Sequence, residues 1–191
     1  MLGSEASSST RLAKLSFLDG SDWHPNRYER VWWQEKTTGA PRIVAAVSEQ
    51  QVETALRLAA CVASPYRLLW VLHTPRGGSR PGRYQSPPLS FEQLRETLIK
   101  YRQLFEQDGR SDIWIYAQEA DVTVILDRHD LIYTYAPIQA VSSALSDFRN
   151  GHTTIPSPHS HHYHAQLDEL EREFAHRFEW HVTALRREDE P

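Results

Sequence analysis

Cysteine is nearly absent from this sequence of 191 residues, which contains Cys61 and no other thiol. A single thiol excludes an internal disulfide and is typical of a reducing compartment, so we expect a cytoplasmic protein. Long apolar runs are also missing, and none reaches the roughly 20 residues of a transmembrane helix. Residues 1–10 lack the basic start and the apolar stretch of a secretory signal, and we expect residues 1–12 to form a flexible N-terminal tail.

A strong charge of either sign is missing as well. The formal net charge is −4 at pH 7, and the isoelectric point is about 6.2. The overall field of such a chain does not attract nucleic acid or anionic lipid, so we expect neither as a partner. The familiar catalytic motifs are missing too, since there is no P-loop, no G-x-S-x-G, no H-E-x-x-H and no C-x-x-C pair.

What the sequence does contain is typical of an ordinary globular protein. Hydrophobic residues make up 40% and charged residues 24% of the chain, and six Trp and eight Tyr give it many large aromatic side chains. This composition and length predict one domain, residues 13–185, followed by a charged C-terminal tail, residues 186–191.

Hydrophobic periodicity predicts both strands and helices. We expect strands at about 29–36 and 42–47 and in the segments YRLLWVLHT, DIWIY, VTVILD and LIYTY, and WHVTAL is a candidate for the last strand. The segments DIWIY, VTVILD and LIYTY form a meander because their links are short. Two helices begin at capping boxes, Ser48 with Gln51 and Ser90 with Gln93, and a third begins at Pro137. A fourth helix follows Pro158. The sequence therefore predicts an α+β domain, a mostly antiparallel sheet of about 5–6 strands with about four helices packed chiefly on one face.

Seven of the ten histidines lie between residues 152 and 181, and the segment IPSPHSHHYHAQLDELE is the densest. If the fourth helix begins near His161, then His161, His164 and Asp168 lie on one face, and His159 can fold back over it. Such a set can bind zinc or another divalent metal. Two other interpretations stay open: half-buried residues at a helix start, or a metal-free cluster that responds to pH.

A second polar group lies in the segment LDRHDL. Asp127 can orient His129 for general-base catalysis, with Asp130 beside them at a strand–turn–strand junction. Asp and His are also ordinary residues of hairpin turns. The catalytic interpretation gains support only if the fold brings His129 next to His159 or His164.

Two further features suggest a surface that binds a partner. Residues 74–88 form a Gly- and Pro-rich loop with three cations, Arg76, Arg80 and Arg83, which suit a carboxylate, a phosphate or an acidic surface, although an exposed mobile loop is the plainer interpretation. Trp32 and Trp33 point to opposite faces of a strand, so one of them can serve as an interface anchor unless both are covered.

The sequence as a whole favours a small non-enzymatic protein-interaction module, for example an inhibitor or immunity-type protein that binds and neutralises another protein. For this function we expect no cofactor. The alternative is a metal-dependent enzyme, such as a hydrolase, that uses the histidines at 159–164, with His129 or Asp127 as base.

Overall fold

The computed structural model describes residues 12–39 and 41–189. Residues 1–11 of the predicted N-terminal tail lie outside the described residues. The strands are β1 (Leu15–Asp19), β2 (Asp22–Pro25), β3 (Val31–Glu35), β4 (Arg42–Ala46), β5 (Tyr66–Leu72), β6 (Gly82–Gln85), β7 (Ser111–Ala117), β8 (Val122–Leu126), β9 (Leu131–Tyr135), β10 (Arg149–Asn150), β11 (His159–His161) and β12 (His181–Thr183). The α-helices are α1 (Gln51–Ala59), α2 (Phe91–Lys100), α3 (Arg102–Glu106), α4 (Ile138–Val141) and α5 (Asp168–Ala175), and short 3-10 helices span Ser142–Leu145, Ala165–Leu167 and Arg187–Asp189.

Nine of these strands form one sheet, in the order β10-β3-β4-β9-β8-β7-β5-β6-β12. Adjacent strands in this sheet are antiparallel, except for the parallel pair β10 and β3, so the sheet is mixed. A second sheet has the order β11-β1-β2. The prediction of about 5–6 strands and about four helices is therefore wrong, because the described residues contain twelve strands and five α-helices.

The strands that the sequence did not predict lack a clear hydrophobic alternation. All four residues of β2 are exposed, and β10 is two residues long. β6 lies within the Gly- and Pro-rich stretch that we interpreted as a loop, yet it pairs with β5 on one side and β12 on the other. Short strands at the edge of a sheet are held by backbone pairing with a neighbour, which leaves little trace in the side-chain pattern.

The predicted meander is confirmed. β7, β8 and β9 pair antiparallel in sequence order, with Ile113 opposite Leu126 and Val124 opposite Thr134. The β8–β9 link contains Asp130 in the left-handed region, at φ 64°. Asp tolerates this conformation better than most residues, so a short reversal is possible there.

The main core lies between one face of the large sheet and the helices. Trp70 of β5 is fully buried there, and its ring lies 4.9 Å from that of Phe174 of α5. The capping box at Ser90 of α2 is confirmed. The one predicted for α1 is wrong, because Gln50 caps that helix in a left-handed conformation and the Gln51 side chain is buried in hydrogen bonds to Val47 O and Asp130.

The histidine segment does not begin a helix. His159–His161 form β11, which pairs with β1, and the helical turns begin at Ala165. The prediction of a helix from near His161 is wrong because β1 offers an unpaired edge: the N–H of His162 donates to Lys14 O, and the N–H of Leu18 donates to Pro158 O. These tertiary hydrogen bonds override the local helical periodicity.

Among the helices of the described residues, none is long and apolar enough to cross a membrane.

Candidate metal centre

Three histidines from two separate parts of the chain meet at one point. His129 lies in the β8–β9 turn, and His159 and His161 lie two residues apart on β11, so they share one face of that strand. Each offers a ring nitrogen, and the three nitrogens lie within 4.8 Å of one another. The ring centroids are 4.8 Å apart for His129 and His161, 5.2 Å for His129 and His159, and 5.5 Å for His159 and His161. We call these residues the histidine triad.

Hydrogen bonds fix two of the three rings. Nδ1 of His159 lies 2.9 Å from the carbonyl oxygen of Pro156, and Nδ1 of His129 lies 2.7 Å from Oδ1 of Asp127. Because a carbonyl and a carboxylate accept, Nδ1 carries the proton in both rings, and Nε2 keeps its lone pair. A carboxylate behind a histidine is the usual support of a metal ligand, since it sets the tautomer and the orientation of the ring.

Asp127 is itself held as an anion. Burial alone raises the pKa of a carboxyl group, but the side-chain and backbone hydrogen bonds from His129, together with the charge of Lys14, outweigh burial and leave the pKa of Asp127 below its ordinary value. The backbone N–H of His129 donates to the same oxygen at 2.7 Å. The turn therefore binds its own carboxylate tightly, and His129 has little freedom to rotate.

His161 is the least satisfied of the three. Its Nδ1 is buried and has no hydrogen-bond partner among the described residues. Burial, together with the neighbouring imidazoles and the charge of Arg128, lowers the pKa of His161 to about 3. The ring is thus neutral at physiological pH, which is the form that binds metal. A buried ring nitrogen without a partner is the kind of atom that an ion or a water satisfies.

Gly109 makes room for His161. A Cβ atom at position 109 would lie 2.8 Å from Cβ of His161 and 3.0 Å from its Nδ1, closer than side chains approach. The N–H of Gly109 donates to the carbonyl oxygen of His162, which holds the two segments together. This close approach of Gly109 to another segment cannot be read from the local sequence.

The triad fits a small metal ion with nitrogen ligands. Zinc binds histidine at about 2.0–2.1 Å, which places tetrahedral ligands roughly 3.4 Å apart, so the nitrogens need to approach one another by at most about 1.4 Å from their 4.8 Å limit. Because hydrogen bonds hold the rings of His129 and His159, this approach would fall mainly to His161, whose Nδ1 has no hydrogen-bond partner among the described residues. Three neutral imidazoles suit zinc and similar first-row metals better than magnesium or calcium, which prefer oxygen ligands.

A cleft of about 410 Å³ lies beside the triad, and both Arg128 and His129 line it. Its floor is the sheet face opposite the main core, where Trp114, Ile125 and Tyr133 are adjacent across β7, β8 and β9. The remaining lining residues are Arg42, Asp112, Asp127, Tyr135, Glu188 and Asp189. The last two belong to the predicted C-terminal tail, in which Arg187–Asp189 form a 3-10 helix and Asp189 pairs with Arg83.

The predicted metal set of His159, His161, His164 and Asp168 is not brought together. His164 and Asp168 lie in a different cluster around Arg110, where Asp168 accepts at 3.0 Å from Arg110 and the ring of His164 bonds to Ala13 O at 2.9 Å. That set assumed a helix through residues 161–168. In the strand that forms instead, His164 falls beyond β11, and the third histidine comes from the β8–β9 turn.

A functional interpretation of Asp127 and His129 required the fold to bring His129 next to His159 or His164. The structure places His129 next to His159. The sequence did not single out Arg128, Trp114 or Tyr133. The available signal was strand alternation: in DIWIY the isoleucines face the main core, so the aromatic residues between them must face the other side.

The residues suggested for a partner surface are scattered. Trp33 is 9% exposed and bonds Glu35, while Trp32 packs against the main core. Arg83 is buried on β6, with its guanidinium 5.3 Å from the Trp114 ring. Arg76 is exposed and pairs with Asp168, and the backbone of exposed Arg80 bonds the Tyr84 hydroxyl.

The chain matches no protein-family description, no curated protein and no solved structure.

Proposed function

We propose that this protein is a metal-dependent enzyme of the hydrolytic class, with His129, His159 and His161 as metal ligands. One observation carries the proposal: three imidazole nitrogens from two distant segments lie within 4.8 Å of one another. Local histidine density does not produce such convergence, because residue 129 is thirty positions from residue 159 in the sequence.

The number of ligands favours catalysis over a purely structural role. Structural zinc sites are closed by four protein ligands, whereas catalytic sites keep three and leave one position open. The triad is the one group of metal-ligating residues found among residues 12–39 and 41–189, and it contains three. His129 also lines the cleft, so the open position is accessible to a small substrate.

The residues of the chain have separate tasks in this proposal. The three imidazoles hold the ion, and Asp127 orients His129 and increases its basicity. The chemistry that a divalent ion would supply there is Lewis acidity and the activation of water. The aromatic floor of the cleft, Trp114 and Tyr133, provides an apolar wall that limits access of bulk water. In this proposal His129 is a metal ligand and Asp127 supports it, and neither of them is the general base.

The other function suggested by the sequence, a protein-interaction module, draws less support from the residues named for it, since Trp33 and Arg83 are buried. We propose the cytoplasm as the compartment, because a single half-buried thiol, Cys61, suits a reducing environment.

Elemental analysis of untagged protein, purified without a metal-affinity column, tests the metal centre. We expect close to one zinc or similar ion per chain, and a cobalt-substituted protein with the strong visible absorption of tetrahedral cobalt. The double substitution His159→Asn and His161→Asn should abolish both signals. His181→Asn is the matched control, because His181 is exposed on β12.

Two results would contradict the proposal. One is wild-type protein that remains free of metal after incubation with zinc or cobalt. The other is a double variant that binds metal as well as the His181→Asn control does. If metal binds, hydrolysis of a panel of aryl esters and aryl phosphates before and after chelation then tests the enzymatic part.

A further inference from the structure

Arg128 is a buried cation without a counter-ion. It follows Asp127 in the β8–β9 turn and is 8% exposed. Its backbone N–H donates to Asp112 at 2.8 Å, but its guanidinium makes no hydrogen bond or ion pair with any residue in the described part of the chain. Its guanidinium nitrogens are not fully buried and are reached from the cleft, where a ligand can contact them. Proteins usually pair a charge that is held in so confined a place.

The other charged groups of the cleft are already engaged, apart from Glu188, which is exposed. Arg42 pairs with Glu35 at 2.8 Å, and its guanidinium lies 4.3 Å from the centre of the Tyr133 ring. Asp112 binds His73 at 2.9 Å, and Asp189 pairs with Arg83. Of the two arginines that line the cleft, Arg128 is thus the one whose guanidinium has no partner in the described part of the chain.

Arg128 also lies next to the triad, because it directly precedes His129 in the β8–β9 turn and lines the same cleft. A metal ion at the triad would add two further positive charges beside this guanidinium. Two such cations repel each other unless an anion lies between them. A planar fork of donors next to a Lewis-acidic ion is the arrangement that grips a phosphate or carboxylate with two oxygens.

We propose that Arg128 is the anion-binding residue of this cleft, and that the substrate carries an oxyanion group, a phosphate or a carboxylate, on a flat organic group. The flat group is argued from the floor, where the half-buried rings of Trp114 and Tyr133 flank Ile125. Aromatic faces bind flat apolar groups by stacking. A cleft of about 410 Å³ lies within the size range of small-molecule sites.

This inference names the substrate class of the proposed enzyme and so rests on the proposed function, but anion binding can be measured without metal. We would titrate metal-stripped and zinc-loaded full-length protein with phenyl phosphate, benzoate and phenol by calorimetry. We expect saturable binding of at least one of the two anions by both forms, and no comparable binding of phenol. Comparing phenyl phosphate with benzoate distinguishes a phosphate site from a carboxylate site.

Arg128→Gln should weaken anion binding by roughly tenfold or more, because charge-assisted hydrogen bonds are lost. Arg128→Lys should retain part of the affinity, since it keeps the charge and loses the planar fork. The matched control is Arg95→Gln, on the exposed surface of α2. Metal content should be the same in all three variants, which separates Arg128 from the ligands.

Wild-type protein that binds neither anion overturns the proposal, and so does an Arg128→Gln variant that binds as the Arg95→Gln control does. If Arg128→Gln does not fold, Arg128→Lys decides in its place, and unchanged affinity and selectivity in that variant count against the role of the guanidinium. Anion binding by protein that never takes up metal would leave this inference standing while the metal centre fails. Stoichiometric metal binding without anion binding would support the metal centre and overturn the role of Arg128.

Discussion

Two buried arginines, eighteen residues apart, show two different uses of a charge. Arg110 is 0% exposed, and each of its guanidinium nitrogens has a partner: Asp108 at 2.8 Å, Asp168 and the His164 carbonyl at 3.0 Å, and Glu171. Hydrogen bonds and charges of Asp108 and Glu171 outweigh burial and raise the pKa of Arg110 further. Arg128 is nearly as buried and has no such partner among the described residues.

The difference indicates which cluster belongs to the fold and which belongs to function. A buried charge whose donors are all used ties segments together, and Arg110 joins the α3–β7 link to α5 in this way. A charge with free donors at the wall of a cleft, next to a half-satisfied histidine triad, makes no such contribution to the fold. Such an arrangement is expected where a protein keeps groups ready for a ligand.

The largest effect is expected at Arg110. Arg110→Met leaves Asp108 and Glu171 buried without their cation, and breaking a buried ion pair in this way costs about 3–5 kcal/mol of the free energy of unfolding. Urea denaturation measures the loss. Arg128→Gln is the comparison variant, and its free energy of unfolding should change by less than about 1 kcal/mol. Equal destabilisation by the two substitutions would contradict the assignment of Arg110 to the fold and of Arg128 to function.

Gly109 lies between the two clusters, and substitution there should disturb both. In Gly109→Ala the new Cβ would lie 2.8 Å from Cβ of His161 and 3.1 Å from the carbonyl oxygen of Lys14, so β11 must shift. Such overpacking costs about 1–3 kcal/mol. We also expect metal affinity, measured by competition with a chelator, to fall at least about tenfold, because ligand geometry is lost. Gly39→Ala is the control, with its nearest neighbour at 3.8 Å. Wild-type metal affinity in Gly109→Ala would show that the position of His161 does not matter.

Asp127→Asn tests the support of the triad with almost no change in shape. Removing a carboxylate behind a metal-binding histidine typically costs about 10–100-fold in metal affinity. Chelator competition measures this quantity, and the control is Asp121→Asn, at an exposed turn where φ is 51° and asparagine fits. If both variants bind metal equally, Asp127 only stabilises the turn.

The sequence predicted the elements whose signals are local. The capping box of Ser90 and the meander of β7–β9 depend on residues within a few positions of one another, and both are confirmed. The histidine segment was assigned to a helix because the pattern from residue 161 onward is helical. Its pairing with β1, about 145 positions away, depends on an edge that no local pattern describes.

The same limit applies to the candidate site. From the sequence, His159 and His161 could be proposed as ligands, and Asp127 with His129 as a second polar group. That the two groups form one site depends on the position of β11 beside the β8–β9 turn. Arg128 drew no attention because an arginine in a turn is ordinarily exposed. Its burial and its lack of a partner are properties of the packed structure alone.

The smallest effect is expected at Arg42, which lies between the two extremes because it lines the cleft but is paired. Burial raises the pKa of Glu35, but hydrogen bonds from Trp33 and Arg42 outweigh it, so that pKa lies below its ordinary value of 4.5. Glu35 therefore stabilises the fold above pH 4.5, and this contribution is lost as pH falls through the lowered pKa. An ion pair that is partly exposed contributes about 0.2–1 kcal/mol.

Glu35→Gln should accordingly lower the Tm slightly at pH 7 and reduce the difference in Tm between pH 7 and pH 3. Glu29→Gln is the control, since Glu29 is 86% exposed and lies 3.5 Å from Arg149. The variant also frees donors of Arg42, so a small gain in benzoate or phenyl phosphate affinity is expected where Arg128→Gln shows a loss. A loss of anion affinity in Glu35→Gln would mean that the paired arginine, and not the unpaired one, binds the anion.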